Sequence, residues 1–162
     1  MSKVYLQDWD ISKHTKSIIQ QMARSNWKPD LIVGLSRGGL IPAVNMSHYF
    51  DVPMWPLKVS LRDDKHVQDS SWMAEEAYKG ARILIVDDIN DSGATLDLIK
   101  KSWIANHHPD DMAWDVIWGT NVRVAVLVNN ISSNFDDVTY SGLEINKAED
   151  DAWIVFPWED FK

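Results

Sequence analysis

The chain has 162 residues, 45% of them hydrophobic and 25% charged, a composition that supports one globular domain with its own core. Sixteen Lys and Arg against 24 Asp and Glu give a net charge of −8, so no basic face is expected for a nucleic-acid backbone or anionic lipid. Cysteine is absent, which excludes a disulfide framework and thiolate zinc sites, and no apolar run nears the ~20 residues that span a bilayer.

Residues 11–24 place Ile11, Ile18, Ile19, Met22 and Ala23 at helical spacing, with Asp10 or Ser12 as the cap. Leu31-Ile32-Val33-Gly34-Leu35 then reads as a buried strand that stops at Ser36-Arg37-Gly38-Gly39. Leu40, Ile41, Ala43, Val44 and Met46 restart a helix, and Pro42 is tolerable in its first turn. A strand is expected over 54–59, followed by a polar, irregular stretch over 60–80 with one helical turn near Met73–Tyr78. Ile83–Val86 reads as a strand that runs into Asp87 and Asp88, then through Ser92-Gly93-Ala94-Thr95 into a helix reaching Asn106. Residues 107–120 read as a loop-like insertion, and Val122–Val128 as a further strand, with shorter ones near 137–141 and 153–156. Strands alternating with helices predict a single α/β domain over 1–162 with a mainly parallel central sheet flanked by helices.

Two strand-to-helix turns carry the chemistry. In a parallel sheet both emerge at the carboxyl edge, where open α/β folds bind their ligands. The glycines of Ser36-Arg37-Gly38-Gly39 let the backbone approach a ligand, and the guanidinium brings positive charge. In the second turn, the N–H groups of Ser92, Gly93, Ala94 and Thr95 at a helix start suit a phosphate. The neighbouring Asp87 and Asp88 can bind sugar hydroxyls or a divalent cation. Neither GxxxxGK[ST] nor GxGxxG is present, so this is not a Walker loop or a dinucleotide fingerprint. Two phosphate-type turns flanking a diol or metal site suggest a ribose phosphorylated at two places.

The segment Ile85-Val86-Asp87-Asp88-Ile89-Asn90-Asp91-Ser92-Gly93-Ala94-Thr95 resembles the PRPP-binding signature of type I phosphoribosyltransferases. Leu35–Pro42 is similar to the pyrophosphate loop of the xanthine-guanine and hypoxanthine members. Tyr5–Asp10 resembles their start, and Trp153-Ile154-Val155-Phe156-Pro157-Trp158-Glu159 their closing purine-site segment. The resemblance implies magnesium- and PRPP-dependent transfer to a purine base in nucleotide salvage. It also implies a hood made by the chain's two ends, a homo-oligomer and a cytoplasmic location. Asp87 and Asp88 would hold the ribose hydroxyls and magnesium, Asp91 to Thr95 the 5′-phosphate, and Ser36, Arg37, Gly38 and Gly39 the pyrophosphate. Asp91 would also handle the purine N7 proton, Trp153 would stack on the base, and the Ile154 backbone would meet its edge. Residues 60–80 would form a mobile lid, with Arg62 and Lys65 as its cations. Members of this group often have a strained or cis peptide before the loop arginine.

The chain departs from that pattern where purine members carry a lysine, just after the strand at 122–128. Here Asn130 stands in that place, and an amide can donate to a 6-oxo group or accept from an amine, so base identity stays open. In the lid, Ser60-Leu61 replaces a Ser-Tyr pair. Two alternatives remain: a non-catalytic PRPP- or nucleotide-sensing protein of the same fold, and a transferase for another base.

Overall fold

A computed structural model describes residues 2–62 and 64–161. Asp63, within the segment read as a lid, and the terminal Met1 and Lys162 lie outside the described residues. In chain order the elements are β1 (Lys3–Tyr5), α1 (Asp8–Arg24), β2 (Leu31–Ser36), α2 (Leu40–Phe50), β3 (Met54–Ser60), β4 (His66–Val67) and α3 (Ser71–Tyr78). There follow β5 (Ile83–Asn90), α4 (Ala94–Asn106), α5 (Trp114–Ile117), β6 (Val122–Asn130), β7 (Tyr140–Ile145), β8 (Trp153–Val155) and a 3-10 turn over Pro157–Glu159.

Six strands form one sheet in the order β4-β3-β2-β5-β6-β7, parallel throughout except for the antiparallel β3–β4 pair. Its central strands are apolar on both faces because helices cover both. On one face Val33, Leu35, Ile85, Val124 and Val126 pack with Leu96, Ile99 and Trp103 of α4 and with Met73, Ala74 and Ala77 of α3. On the other, Ile32, Leu84, Val86, Ala125 and Leu127 meet Ile18 and Met22 of α1 and Met46 of α2. The chain's two ends pair as a parallel ribbon, Lys3 with Trp153 and Tyr5 with Val155, which makes the small hood. Among the described residues no helix is long and apolar enough to cross a membrane.

Several boundaries differ from the sequence reading. Helix α1 begins at Asp8 because Asp10 acts from within the first turn, where its Oδ2 accepts the Gln7 backbone N–H at 2.7 Å. Part of the expected lid is a packed element: α3 buries Met73, Ala74 and Ala77, and the Ser70 hydroxyl before it accepts from Trp103 Nε1 at 2.8 Å. The insertion at 107–120 is also anchored. Trp114 and Trp118 are buried in the core, and Trp114 Nε1 donates to the His107 carbonyl at 2.7 Å.

Candidate active site

Strands β2 and β5 run side by side in register from Leu31↔Ile83 to Gly34↔Val86, and there their pairing stops. Strand β6 is longer and continues pairing with β5 through Asp87↔Val126 and Asn90↔Asn129. The acidic pair therefore lies inside β5, not beyond its end, with one side open where β2 has turned away. The turn after β2 folds over that open side. A β-carbon on Gly38 would overlap the Asp88 carboxylate, and one on Gly39 would overlap the Val86 carbonyl oxygen and lie 2.9 Å from the Leu35 backbone. Only glycine permits this approach, which brings the turn after β2 into direct contact with the acidic pair of β5. The Ser36–Arg37 peptide bond is cis, as the resemblance implies. The Arg37 side chain is exposed.

Asp87 Oδ1 accepts the Asp88 N–H at 2.9 Å, and Asp88 Oδ1 accepts the Ile89 N–H at 2.8 Å, so both carboxylates are oriented by backbone. Burial, reinforced by the Asp88 charge, pushes the Asp87 carboxyl well above its ordinary range. Burial also raises Asp88, and Glu159 of the hood adds a further negative charge beside it. Desolvated like charges side by side are a donor set that a divalent cation relieves. Among the described residues no cluster of three or more His, Cys, Asp or Glu is assembled to hold a metal. Two carboxylates with the remaining positions left to substrate oxygens and water is the arrangement magnesium favours.

Beyond the acids, Gly93 caps α4 with φ +91°, and a β-carbon there would lie 2.5 Å from the Phe135 backbone nitrogen. The first-turn N–H groups of a helix lack intrahelical partners, so α4 directs donors at the loop. The Ala94 N–H is occupied by Ser92 Oγ at 3.2 Å, a bond an incoming anion would have to displace. Residues 87–96 and Leu61 line one cavity of about 290 Å³. Arg37, Asn130 and Trp153 lie outside its lining. Two cavities of about 550 Å³ open along α1 and border neither turn.

Trp153 sits on the hood strand with 53% of its surface exposed, so it is not a core aromatic; the Ile154 side chain beside it is buried. Asn130 is tied into the protein. It is buried, its Nδ2 donates to the Asp91 carbonyl at 2.8 Å, and its Oδ1 accepts from Ser132 Oγ at 2.8 Å and the Lys147 N–H at 2.9 Å. The protein thus holds both ends of this amide, and the second Nδ2 proton is not used by these bonds. The residue that sequence reasoning missed is Lys147, whose Nζ lies 3.1 Å from Asp91 Oδ1. Nothing marks it in the polar run Asn146-Lys147-Ala148-Glu149-Asp150-Asp151, where a lysine ordinarily faces solvent.

A mostly parallel α/β sheet with a glycine-bearing turn packed against paired acids is the architecture of a doubly wound protein with its ligand edge at the carboxyl ends of the strands. The family model described as the phosphoribosyl transferase domain matches residues 4–160, and the chain belongs to that family, whose members are enzymes of phosphoribosyl transfer. It is 30% identical over 133 residues to a xanthine-guanine phosphoribosyltransferase of Cereibacter sphaeroides, covering 79% of this chain and 68% of that one. A crystal structure of purine phosphoribosyltransferase from Pyrococcus horikoshii superposes with TM-score 0.72 at 26% identity, covering 100% of this chain and 97% of that one. A xanthine-guanine-hypoxanthine phosphoribosyltransferase of Helicobacter pylori shares the fold at TM-score 0.69 and 18% identity, over 96% and 93% of the chains.

Proposed function

We propose that this chain transfers the phosphoribosyl group of PRPP to guanine, xanthine or hypoxanthine, giving a nucleoside 5′-monophosphate and pyrophosphate in purine salvage. The observation that carries the reading is the packing of the Asp88 carboxylate over Gly38, which sets the arginine-glycine turn against the acidic pair that leads into the Ser92–Thr95 loop. The Arg37 guanidinium and the Gly38 amide are suited to the pyrophosphate, with Ser36 beside them, while the Gly39 N–H donates to the Leu35 carbonyl at 2.9 Å and would have to be released to join them. The Ser92–Thr95 loop is suited to the 5′-phosphate at the start of α4. Asp87 and Asp88 are assigned to the ribose hydroxyls and to Mg2+, which when bound neutralises charge on the departing pyrophosphate.

Transfer displaces pyrophosphate from C1 of the ribose by a base nitrogen, and positive charge grows on the sugar as the polyanion leaves. Catalysis then rests on placement and fixed charge, with no covalent nucleophile needed. Asp91 accepts the proton shed by the purine imidazole ring, a role suited to a half-exposed carboxylate fixed by its backbone. Trp153 offers an exposed indole face for stacking on the base, beside the Ile154 backbone. The described part of residues 60–70 carries the exposed Arg62 and Lys65 and is assigned to closure over the cavity that Leu61 borders. Exposed Ile41, Val44 and Tyr49 along α2 support self-association, and a cytoplasmic location completes the reading.

The test is nucleotide formation from PRPP and Mg2+ with guanine, hypoxanthine, xanthine and adenine in parallel. Turnover with the oxopurines supports the proposal. Tight PRPP binding with no product from any base would favour a sensing protein instead. Asp91→Asn is expected to lower kcat by about 10²–10⁴-fold, the usual worth of a positioned proton acceptor. Its PRPP KM should stay within about threefold, and equal losses in both parameters would contradict the proton-handling role.

A further inference from the structure

Asn90, the last residue of β5, is a polar side chain with only 2% of its surface exposed. Burying an amide is costly unless its bonds are made, and here both its donors and its acceptor are engaged. Nδ2 donates to Asn129 Oδ1 at 3.0 Å, across the β5–β6 pair, and to the Phe135 carbonyl at 3.1 Å. Oδ1 accepts from Ser133 Oγ at 3.1 Å, and that oxygen in turn accepts the Phe135 N–H at 2.9 Å. A satisfied interior network holds one geometry, because any displaced member is left unpaired. The geometry held is that of the turn after β6, whose Phe135 side chain is buried in the same core layer as Leu96 of α4.

That turn is the wall behind the Ser92–Thr95 loop. The Asn134 N–H donates to the Ser92 carbonyl at 3.0 Å. Gly93 packs so closely that a β-carbon would fall 2.5 Å from the Phe135 nitrogen and 2.7 Å from Ser133 Oγ. In a planar trans peptide the carbonyl and the following N–H point in opposite directions. Tying the Ser92 carbonyl to the turn therefore faces the Gly93 N–H away from it, toward the cavity that residues 87–96 line and the turn does not border. Among the described residues that N–H has no protein partner. We infer that Asn90 is a positioning residue for the 5′-phosphate: through the Ser133–Phe135 turn it fixes the Ser92–Gly93 peptide with its N–H aimed into the cavity. The donor is then in place before the anion arrives, and binding pays little to order it. The inference rests on the phosphoribosyl-transfer reading for the identity of that anion.

Ribose 5-phosphate carries the phosphate without pyrophosphate or base, so its binding, followed by phosphorus NMR titration, tests the inference without turnover. Asn90→Leu keeps the bulk and removes the amide, and it should raise the ribose 5-phosphate Kd at least about fivefold. Ser133→Ala should do the same, while Ser133→Thr, which keeps the hydroxyl, should stay within about twofold of wild type. That serine pair decides the matter if the leucine variant fails to fold. Ile18→Val truncates the core on the opposite face of the sheet; it should lower Tm and leave the Kd within about twofold, which separates aiming from general loosening. The inference is overturned by a wild-type protein that does not bind ribose 5-phosphate, or by Asn90→Leu and Ser133→Ala that bind it within twofold of wild type. It is equally overturned by Ser133→Thr as weak as Ser133→Ala, or by an equal loss in Ile18→Val. Phosphate affinity that depends on Asn90 in a protein that forms no nucleotide from PRPP would leave this assignment standing and overturn the transfer reading. Nucleotide formation with a ribose 5-phosphate affinity indifferent to Asn90 would do the reverse.

Discussion

Asp87 and Asp88 are held where charge is disfavoured, and the consequence is a measurable pH dependence. Burial, then the neighbouring charge, raises the Asp87 carboxyl above its ordinary range. The folded state therefore keeps a proton that the unfolded chain has lost. The stability this contributes is present below the ordinary carboxylate range and is lost as pH rises through the raised value. Asp87→Asn should accordingly raise Tm near pH 7.5 by about 2–4 °C, the worth of roughly 1 kcal/mol in a domain of this size. The gain should shrink as pH falls toward the ordinary range, and thermal melts across pH that show no difference would contradict the repulsion. The same variant should lose Mg2+-dependent PRPP binding. Glycine variants separate two kinds of contact. At Gly38 the obstacle is the Asp88 side chain, so Gly38→Ala should weaken PRPP binding at least about tenfold with the fold intact. At Gly39 the obstacle is backbone, so Gly39→Ala should destabilise by about 1–3 kcal/mol in urea unfolding. Residue identities announced the acids and the glycines, because the two segments occur together in the order of the phosphoribosyltransferase signatures they resemble. They could not announce the Asn130–Lys147 arrangement, because a long-range hydrogen bond leaves no trace in local spacing.

Among the elements, the central strands and the helices α1, α2 and α4 were legible, while the full length of α3 and the short α5 were not. Ile83–Val86 and Val122–Val128 are β-branched and apolar without interruption, the pattern of strands buried on both faces. Helix α3 hid because Ser71-Trp72-Met73-Ala74-Glu75-Glu76-Ala77-Tyr78 has too few large apolar residues to mark a face. It buries mainly alanines against α4, and tertiary packing supplies what periodicity does not show. The tryptophans at 114 and 118 likewise looked like loop residues, because the short α5 between them spans a single turn. Their role as a plug on the sheet makes α4 sensitive. Trp103 is fully buried, lies 5.6 Å from the Trp118 ring and donates to Ser70. Trp103→Ala should cost about 3–5 kcal/mol by urea denaturation, and a cost below 1 kcal/mol would show that the α4 packing is not what holds this layer.

Across the whole molecule, the parallel sheet places both turns on one edge, and the hood closes over that edge from the chain's two ends. The sequence implied the first through the alternation of strands and helices. The pairing of residues 3–5 with 153–155 joins the two ends of the chain, and its expectation rested on resemblance alone. It links the start of the chain to Trp153 and, through the turn at Pro157–Glu159, to the charge beside Asp88. The central claim is that both turns engage one doubly phosphorylated ribose, and a crystal structure with Mg2+ and PRPP tests it most directly. The account predicts the 5′-phosphate on the Ser92–Thr95 loop and the pyrophosphate on Arg37–Gly39, with Asp87 and Asp88 between them. PRPP bound with only one of its phosphorylated ends at these turns, or held in a cavity along α1, would contradict it.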